Sequence, residues 1–140
     1  MQVRFTWLEE YSVGVAVIDD QHRHFFDIAN LLYDTAASSP VLPESALALA
    51  IEMNDYALYH LDTEEEYFKK FSYAEANLHI GAHSAYRAKM VEYLDRVRAG
   101  GEDMCALVRE IADYSGNWLA SHILVMDKRF AGYFRDHGLR

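Results

Sequence analysis

The chain has 140 residues, 51% of them hydrophobic, and a formal net charge of −9, with 13 lysines and arginines against 22 acids. The length is sufficient for one buried core without disulfides, whereas the scattered basic residues exclude nucleic acid and disfavour an anionic membrane surface as partners. Cys105 is the single cysteine, no stretch approaches the roughly 20 apolar residues of a membrane span, and the N-terminus does not resemble a secretory signal, so the sequence predicts a cytoplasmic protein.

Helix breakers are few, which predicts an all-α class. Two prolines and seven glycines interrupt the chain, and no long alternating Val/Ile segment occurs. Residues 1–18 are irregular but rich in aromatic residues and valine, so we expect an extended arm that lies over a helix bundle. Asp19 and Asp20 are placed to cap the first helix, which should end before residues 38–40. Its predicted inner stripe is Ile18, His22, Phe25 or Phe26, Ala29, Leu32 and Ala36.

Two further helices are predicted on either side of a break at residues 71–73. Pro43 suits the first turn of the second helix, and Ser72 with Glu75 forms an S-x-x-E capping box for the third. Gly100 should end the third helix. The second stripe is Leu49, Met53, Tyr56, His60, Glu64, Tyr67 and Phe71; the third is Ala76, His79, His83, Tyr86, Met90, Tyr93 or Leu94, and Val97.

A fourth helix is expected from about Asp103, followed by Gly132 and a short aromatic tail. Its predicted stripe is Met104, Leu107 or Val108, Ile111, Tyr114, Trp118, His122 and Val125. Short connections favour an up-down-up-down four-helix bundle. We therefore predict one domain over residues 1–140, with an arm at 1–18, a bundle at about 19–131 and a short tail.

Seven potential metal ligands are predicted to lie at one level of this bundle. His60 with Glu64, and His79 with His83, are four residues apart and thus share helix faces. In an antiparallel pair folded at residues 71–73, His60 faces His83 and Glu64 faces His79. Residues 40–43 lie midway between His22 and the His60/Glu64 pair, and residues 100–102 lie midway between the His79/His83 pair and the His122/Asp127 pair. The full set is His22, His60, Glu64, His79, His83, His122 and Asp127.

Buried charges of this kind are normally paired or metal-bound, and the donor types indicate the metal. A nitrogen-rich set favours a transition metal over calcium or magnesium, and seven side chains exceed the four ligands of a structural zinc. We predict two ions bridged by Glu64, Asp127 and an oxide or hydroxide. With about six positions an ion, one position stays open on the ion that has two histidines. Asp127 follows His122 by five residues, so a loosened helix end must turn it inward.

Four motifs make the chain resemble the hemerythrin family, in particular its bacterial members, over essentially the whole length. They are GVAVIDDQH ending at His22, H-x-x-x-E at His60, H-x-x-x-H at His79, and W-L-x-x-H-I-x-x-x-D starting at Trp118. The chain departs from the usual pattern at residues 72–74, where Gly-Tyr-Pro is common, and at Ile80, where lysine is frequent. Neither position is a predicted ligand.

The resemblance implies a protein that binds O₂ reversibly at a non-haem di-iron centre and is not an enzyme. By matching position, it implies that His79, His83 and His122 bind one iron and that His22 and His60 bind the open one. Glu64 and Asp127 would bridge the two. It further implies an O₂ pocket lined by Trp118 and Leu119, to which we add Phe26, one turn after His22.

Alternative functions follow from the same residues. A di-iron oxidase or ferroxidase of the ferritin-like type would need Glu-x-x-His motifs, which are absent here with inward placement, and a zinc or manganese hydrolase ranks third. An O₂- or NO-responsive signalling module, acting through the arm and an unidentified partner protein, is a further alternative to storage or delivery. His24 and His137 are predicted at the surface, and Glu65 and Glu66 on a solvated face.

Overall fold

The computed structural model describes residues 4–38 and 40–140; residues 1–3 of the predicted arm and Ser39 of the first turn lie outside the described residues. All regular structure within these ranges is helical, which confirms the all-α class. The five α-helices are α1 (Ala16–Ala37), α2 (Pro43–Lys70), α3 (Ala76–Ala99), α4 (Met104–His122) and α5 (Lys128–Asp136). A short 3₁₀ helix, Glu9–Tyr11, precedes α1, and a π-helical segment, Ile123–Asp127, joins α4 to α5.

Helices α1 to α4 form the predicted up-down-up-down bundle. Helix α1 packs chiefly against α4 and α2, and α2 packs against α3. Pro43 is in the first turn of α2, as predicted, because a proline there forgoes no helical hydrogen bond. Short connections at 38–42, 71–75 and 100–103 keep neighbouring helices antiparallel. None of the described helices is long and apolar enough to cross a membrane.

The inner stripes of α1 and α3 are largely as predicted, but those of α2 and α4 are rotated. The positions Leu49, Tyr56, Tyr67 and Phe71 are half-buried, and α2 instead buries Ala46, Ala50, Ala57, Leu61 and Phe68. In α4, Tyr114 and Trp118 are half-buried and Val125 is exposed, whereas Ser115, Gly116 and Leu119 are buried. The buried alanine, serine and glycine residues let the helices approach closely, whereas the aromatic rings named here other than Phe68 lie half-buried at the flanks.

Two predicted helix caps are wrong. Helix α1 already begins at Ala16, and Asp19 accepts hydrogen bonds from the Val13 backbone N–H at 2.8 Å and the Ser12 hydroxyl at 2.6 Å. Asp19 therefore anchors the arm to α1. At the start of α3, Ser72 has a φ of 52° and makes no capping bond, so the predicted capping box does not form.

The described part of the arm lies over α1 and α4, as predicted. The Phe5, Trp7 and Tyr11 rings surround Phe26, with the Tyr11 and Phe26 centroids 5.3 Å apart. The Asn30 amide donates to the Phe5 carbonyl at 2.8 Å and accepts from its N–H at 2.8 Å.

A glycine on α4 makes room for this arm. A Cβ at Gly116 would lie 2.1 Å from Cζ of Phe5. The small residue therefore allows the Phe5 ring to sit directly against the α4 backbone.

The predicted C-terminal tail is wrong, because the chain continues as α5. Phe130 and Phe134 are fully buried against Phe68, with ring centroids 5.7 and 5.8 Å from it. Of the two aromatic residues of the predicted tail, Phe134 thus lies on the inner face of a helix and Tyr133 is half-buried. Arg135 donates to the Val13 carbonyl at 2.6 Å, which ties α5 to the arm.

Candidate metal centre

The seven predicted ligand residues converge inside the bundle, each at most 5% exposed. His22 comes from α1, His60 and Glu64 from α2, His79 and His83 from α3, His122 from α4 and Asp127 from the π-helical segment. Their donor atoms fall into two groups in which the atoms lie within 4.8 Å of one another. One group is Glu64, His79, His83, His122 and Asp127; the other is His22, His60, Glu64 and Asp127.

Glu64 belongs to both groups because its two oxygens point in different directions. Its Oε1 lies 3.1 Å from Nε2 of His83 and 3.5 Å from Nε2 of His79. Its Oε2 lies 3.1 Å from Nε2 of His60 and 3.4 Å from Nε2 of His22. The antiparallel register inferred from the sequence brings Glu64 to His79 as predicted, and one carboxylate spans two clusters of imidazole nitrogens.

Asp127 divides its oxygens in the same way. Its Oδ1 lies 2.9 Å from Nε2 of His79 and 3.1 Å from Nε2 of His122, whereas Oδ2 lies 3.0 Å from Nε2 of His22. Each carboxylate thus directs one oxygen towards the three-histidine cluster, which is His79, His83 and His122, and the other towards the two-histidine cluster, which is His22 and His60. The two donor groups therefore have both carboxylates in common.

The π-helical segment explains how Asp127 reaches the centre. An α-helix would direct the fifth residue after His122 well away from that histidine. The wider turn of residues Ile123–Asp127 instead closes i to i+5 and returns Asp127 to the face of His122. The predicted loosening of the helix end is confirmed, and Val125 is turned to solvent by the same change.

The site has the properties of one built for cations. Both oxygens of Glu64 and of Asp127, both ring nitrogens of His22 and Nε2 of His60 are buried without a hydrogen-bond partner. The Nε2 atoms of His79 and His122 are 2.8 Å apart. Buried carboxylate oxygens without hydrogen-bond partners, faced by several imidazole nitrogens, form a donor arrangement that can hold a metal ion. The nitrogen-rich donor set fits a transition metal.

The pKa values of the centre follow from the same charges. Burial lowers the pKa of His22 and of His79, but Asp127 and Glu64 outweigh it and raise both pKa values to about 9. The pKa of His60 is lowered because burial outweighs the attraction of Glu64. Burial favours raised pKa values for Glu64 and Asp127, yet the facing histidines lower both. Two anionic carboxylates therefore require compensating positive charge, which bound metal ions can supply in place of protons.

Two hydrogen-bond partners of the histidines were missed by the sequence analysis. Gln21 Oε1 lies 2.8 Å from Nδ1 of His60, and Glu65 Oε2 lies 2.7 Å from Nδ1 of His83. The prediction that Glu65 is on a solvated face is wrong, since it is half-buried and also contacts Arg87 at 2.8 Å. The sequence contained one signal for the Glu65 contact. Arg87 is four residues after His83 and so on the same helix face, where it can pair with an acid that reaches His83.

The residues predicted to line an O₂ pocket are not all in one place. The Trp118 ring stacks on His122 with centroids 4.3 Å apart and an angle of 12°, and Leu119 is fully buried. Phe26 contacts the arm, whereas the ring centroid of the neighbouring Phe25 lies 6.2 Å from the ring centroid of His60. Aromatic side chains therefore adjoin both histidine clusters, and the contacts favour Phe25 over Phe26 as a wall of the two-histidine side.

His24 and His137 are exposed, as predicted. His24 contacts Tyr56 with ring centroids 4.4 Å apart, and His137 contacts Tyr133 at 4.2 Å. Both imidazoles are thus engaged with surface aromatic residues and belong to neither donor group.

Comparison with known proteins agrees with the geometry. Residues 13–134 match the family described as "Hemerythrin HHE cation binding domain". The bacteriohemerythrin of Clostridium acetobutylicum is 25% identical over 128 residues, which cover 90% of this chain and 98% of that protein. The bacteriohemerythrin of Pseudomonas paraeruginosa is 31% identical over 91% of this chain and 77% of its own. A crystal structure of wild-type hemerythrin superimposes with a TM-score of 0.83 at 26% identity, covering 92% of this chain and 96% of the other. The chain therefore belongs to the hemerythrin family of non-haem iron, oxygen-binding proteins, which are not enzymes.

Proposed function

We propose that this protein binds O₂ reversibly at two non-haem iron ions and serves oxygen storage, delivery or sensing. The observation that carries the proposal is the division of the Glu64 and Asp127 oxygens between two histidine clusters. One iron would be held by His79, His83 and His122, the other by His22 and His60, and both carboxylates would bridge. Ferrous iron supplies the electrons that make O₂ binding possible.

The number of protein donors supports an open position on one side. The first cluster offers three imidazoles and two carboxylate oxygens, the second only two imidazoles and two carboxylate oxygens. With a shared oxide or hydroxide, the iron at His22 and His60 lacks one ligand. The Phe25 ring, whose centroid lies 6.2 Å from that of His60, gives this side an apolar wall.

The surroundings support reversible binding over oxidase chemistry. Cleavage of bound oxygen needs a positioned proton donor. Two buried polar groups that could act as donors are already engaged. Gln21 contacts His60, and the Tyr86 hydroxyl donates to Ser115 at 2.8 Å. Burial also raises the pKa of Tyr86, which makes it a weak acid. A donor set of five histidines and two acids differs from the glutamate-rich set of ferritin-like ferroxidases as well.

One contact favours sensing as the role. Lys128 follows Asp127 directly and donates to the Ser12 carbonyl in the arm at 3.0 Å. A shift of Asp127 when O₂ or NO binds would reach the arm through this bond. Slower backbone amide exchange at residues 9–15 in one ligand state than in the other would support sensing; equal exchange would favour storage or delivery.

The central test is iron analysis combined with an absorption spectrum of the purified protein. We expect two irons per chain, and a visible absorption change that appears when the reduced protein meets O₂ and disappears when O₂ is removed. His24→Ala, at an exposed histidine, should behave as the wild type. Continuous oxygen consumption with added ferrous iron or reductant would contradict the proposal and favour the oxidase.

A further inference from the structure

The two histidine clusters differ in what holds their outward-facing nitrogens. Behind His60 the partner is the neutral amide of Gln21, whereas behind His83 it is the carboxylate of Glu65. Both histidines direct Nε2 towards Glu64, at 3.1 Å in each case. The two sides are therefore alike in the orientation of the ring but unlike in the charge behind it.

The network around Gln21 fixes the proton on His60. The Gln21 amide donates through Nε2 to the Thr63 hydroxyl at 3.3 Å, and that hydroxyl donates to the Tyr59 carbonyl at 2.8 Å. The Thr63 proton is thus in use, which leaves Oε1 of Gln21 as the atom that faces His60. Because Oε1 can only accept, Nδ1 of His60 carries the proton and Nε2 has its lone pair free for a metal.

The network around Glu65 fixes the proton on His83 more firmly. Arg87 can only donate, and it contacts Glu65 at 2.8 Å and Asp62 at 2.9 Å. Arg87 therefore holds Glu65 in place, and the carboxylate accepts from Nδ1 of His83 at 2.7 Å. A hydrogen bond to a carboxylate is charge-assisted and stronger than one to an amide.

We propose that Gln21 and Glu65 are positioning residues that make the two sides of the metal centre electronically unequal. Each fixes the metal-binding tautomer of its histidine, but only Glu65 draws the Nδ1 proton away and makes the imidazole a stronger electron donor. This inference rests on the proposed two-metal function. It assigns the stronger donor to the fully ligated side and leaves the side with the open position more electrophilic.

The first test is nitrogen-15 NMR of the histidine side chains in protein loaded with zinc as a diamagnetic probe. We expect both Nδ1 atoms to be protonated, with the His83 proton at lower field than the His60 proton. Gln21→Glu should move the His60 proton downfield, and Glu65→Gln should move the His83 proton upfield. Glu66→Gln, at the exposed neighbouring acid, should move neither.

The second test uses the iron-loaded protein and its reduction potential. Glu65→Gln should raise the potential, because a weaker donor stabilises ferric iron less, and Gln21→Glu should lower it. Gln21→Leu and Glu65→Leu should each weaken zinc binding about 10- to 100-fold, and Gln21→Glu should retain the affinity that Gln21→Leu loses. A purely structural role would not give opposite changes in potential for the two isosteric variants.

The outcomes separate this inference from the function on which it rests. Two bound zinc ions with equal Nδ1–H shifts for His60 and His83 in the wild type would overturn the inference alone, whatever the variants do. Failure of the wild-type protein to bind metal would overturn the proposed function and this inference together.

Discussion

The three-histidine and two-histidine sides of the centre are equally buried but differently enclosed. Beside the first, Phe130 stacks on His79 at 5.4 Å and the half-buried Trp118 stacks on His122. The second lies on α1 and α2, where Phe25 adjoins His60 and the arm packs over the next residue, Phe26. Burial therefore does not distinguish the two sides. The two sides differ instead in the number of donor residues and in the groups that form hydrogen bonds to those donors.

The largest effect is expected where the two sides share a ligand. Glu64→Gln keeps the shape of the side chain but leaves one acceptor oxygen in place of two. Both sides should lose metal, with an affinity fall greater than the roughly 100-fold upper range for a supporting residue. Iron content and the Tm of the iron-loaded protein measure this. Retention of two irons would show that Glu64 is not a bridge.

Replacing one histidine on each side separates the two halves. His60→Ala should leave about one iron per chain, because the three-histidine side keeps all its donors. His79→Ala should lose most iron and much stability, since His79 contacts Asp127, Glu64 and His122 together. Metal analysis and thermal unfolding compare the two variants. If His79→Ala keeps two irons, the ligand assignment is wrong.

The cover over the two-histidine side can be weakened without touching a ligand. Gly116→Ala puts a methyl group where Phe5 lies, and overpacking of this kind costs about 1–3 kcal/mol in the free energy of unfolding. Gly81→Ala is the matched control, because its Cβ would meet nothing within 4 Å. That control should be stabilised by up to about 1 kcal/mol through helix propensity. Urea unfolding checks both, and equal changes would mean that the arm does not depend on Gly116.

The smallest effect is expected at the turn between the helices of the three-histidine side. Arg96 donates to Glu102 and Glu110 at 2.7 Å each and lowers the pKa of both carboxyl groups. Since folded-state pKa values below the unfolded ones add stability only while the carboxylates are ionised, this contribution is present near neutral pH and is lost as the pH falls through the folded values.

Arg96→Ala should therefore lower the unfolding free energy at pH 7 by less than any destabilising change above, because exposed ion pairs are screened by solvent. The difference from wild type should vanish in acid, with Arg98→Ala as the control on the same helix. A difference that persists in acid would point to lost packing by the Arg96 side chain.

The amino-acid sequence by itself determined the four bundle helices, their register and the seven converging residues. The 3.6-residue period fixes which residues share a helix face, so His60 with Glu64 and His79 with His83 could be paired from spacing alone. Short turns then fixed the relative height of the helices. The five-residue step from His122 to Asp127 even required a local widening, which the π-helical segment provides.

The tertiary structure alone decided which groups support and cover these residues. Gln21 reaches His60 and Glu65 reaches His83 from neighbouring helices, and apart from the four-residue spacing of His83 and Arg87 no local pattern indicates such contacts. The rotation of α2 towards alanines such as Ala57, and the burial of Phe134 in α5, also depend on how closely other helices approach. Spacing along one helix is fixed by its backbone geometry, whereas the choice of neighbour depends on the packing of the whole bundle.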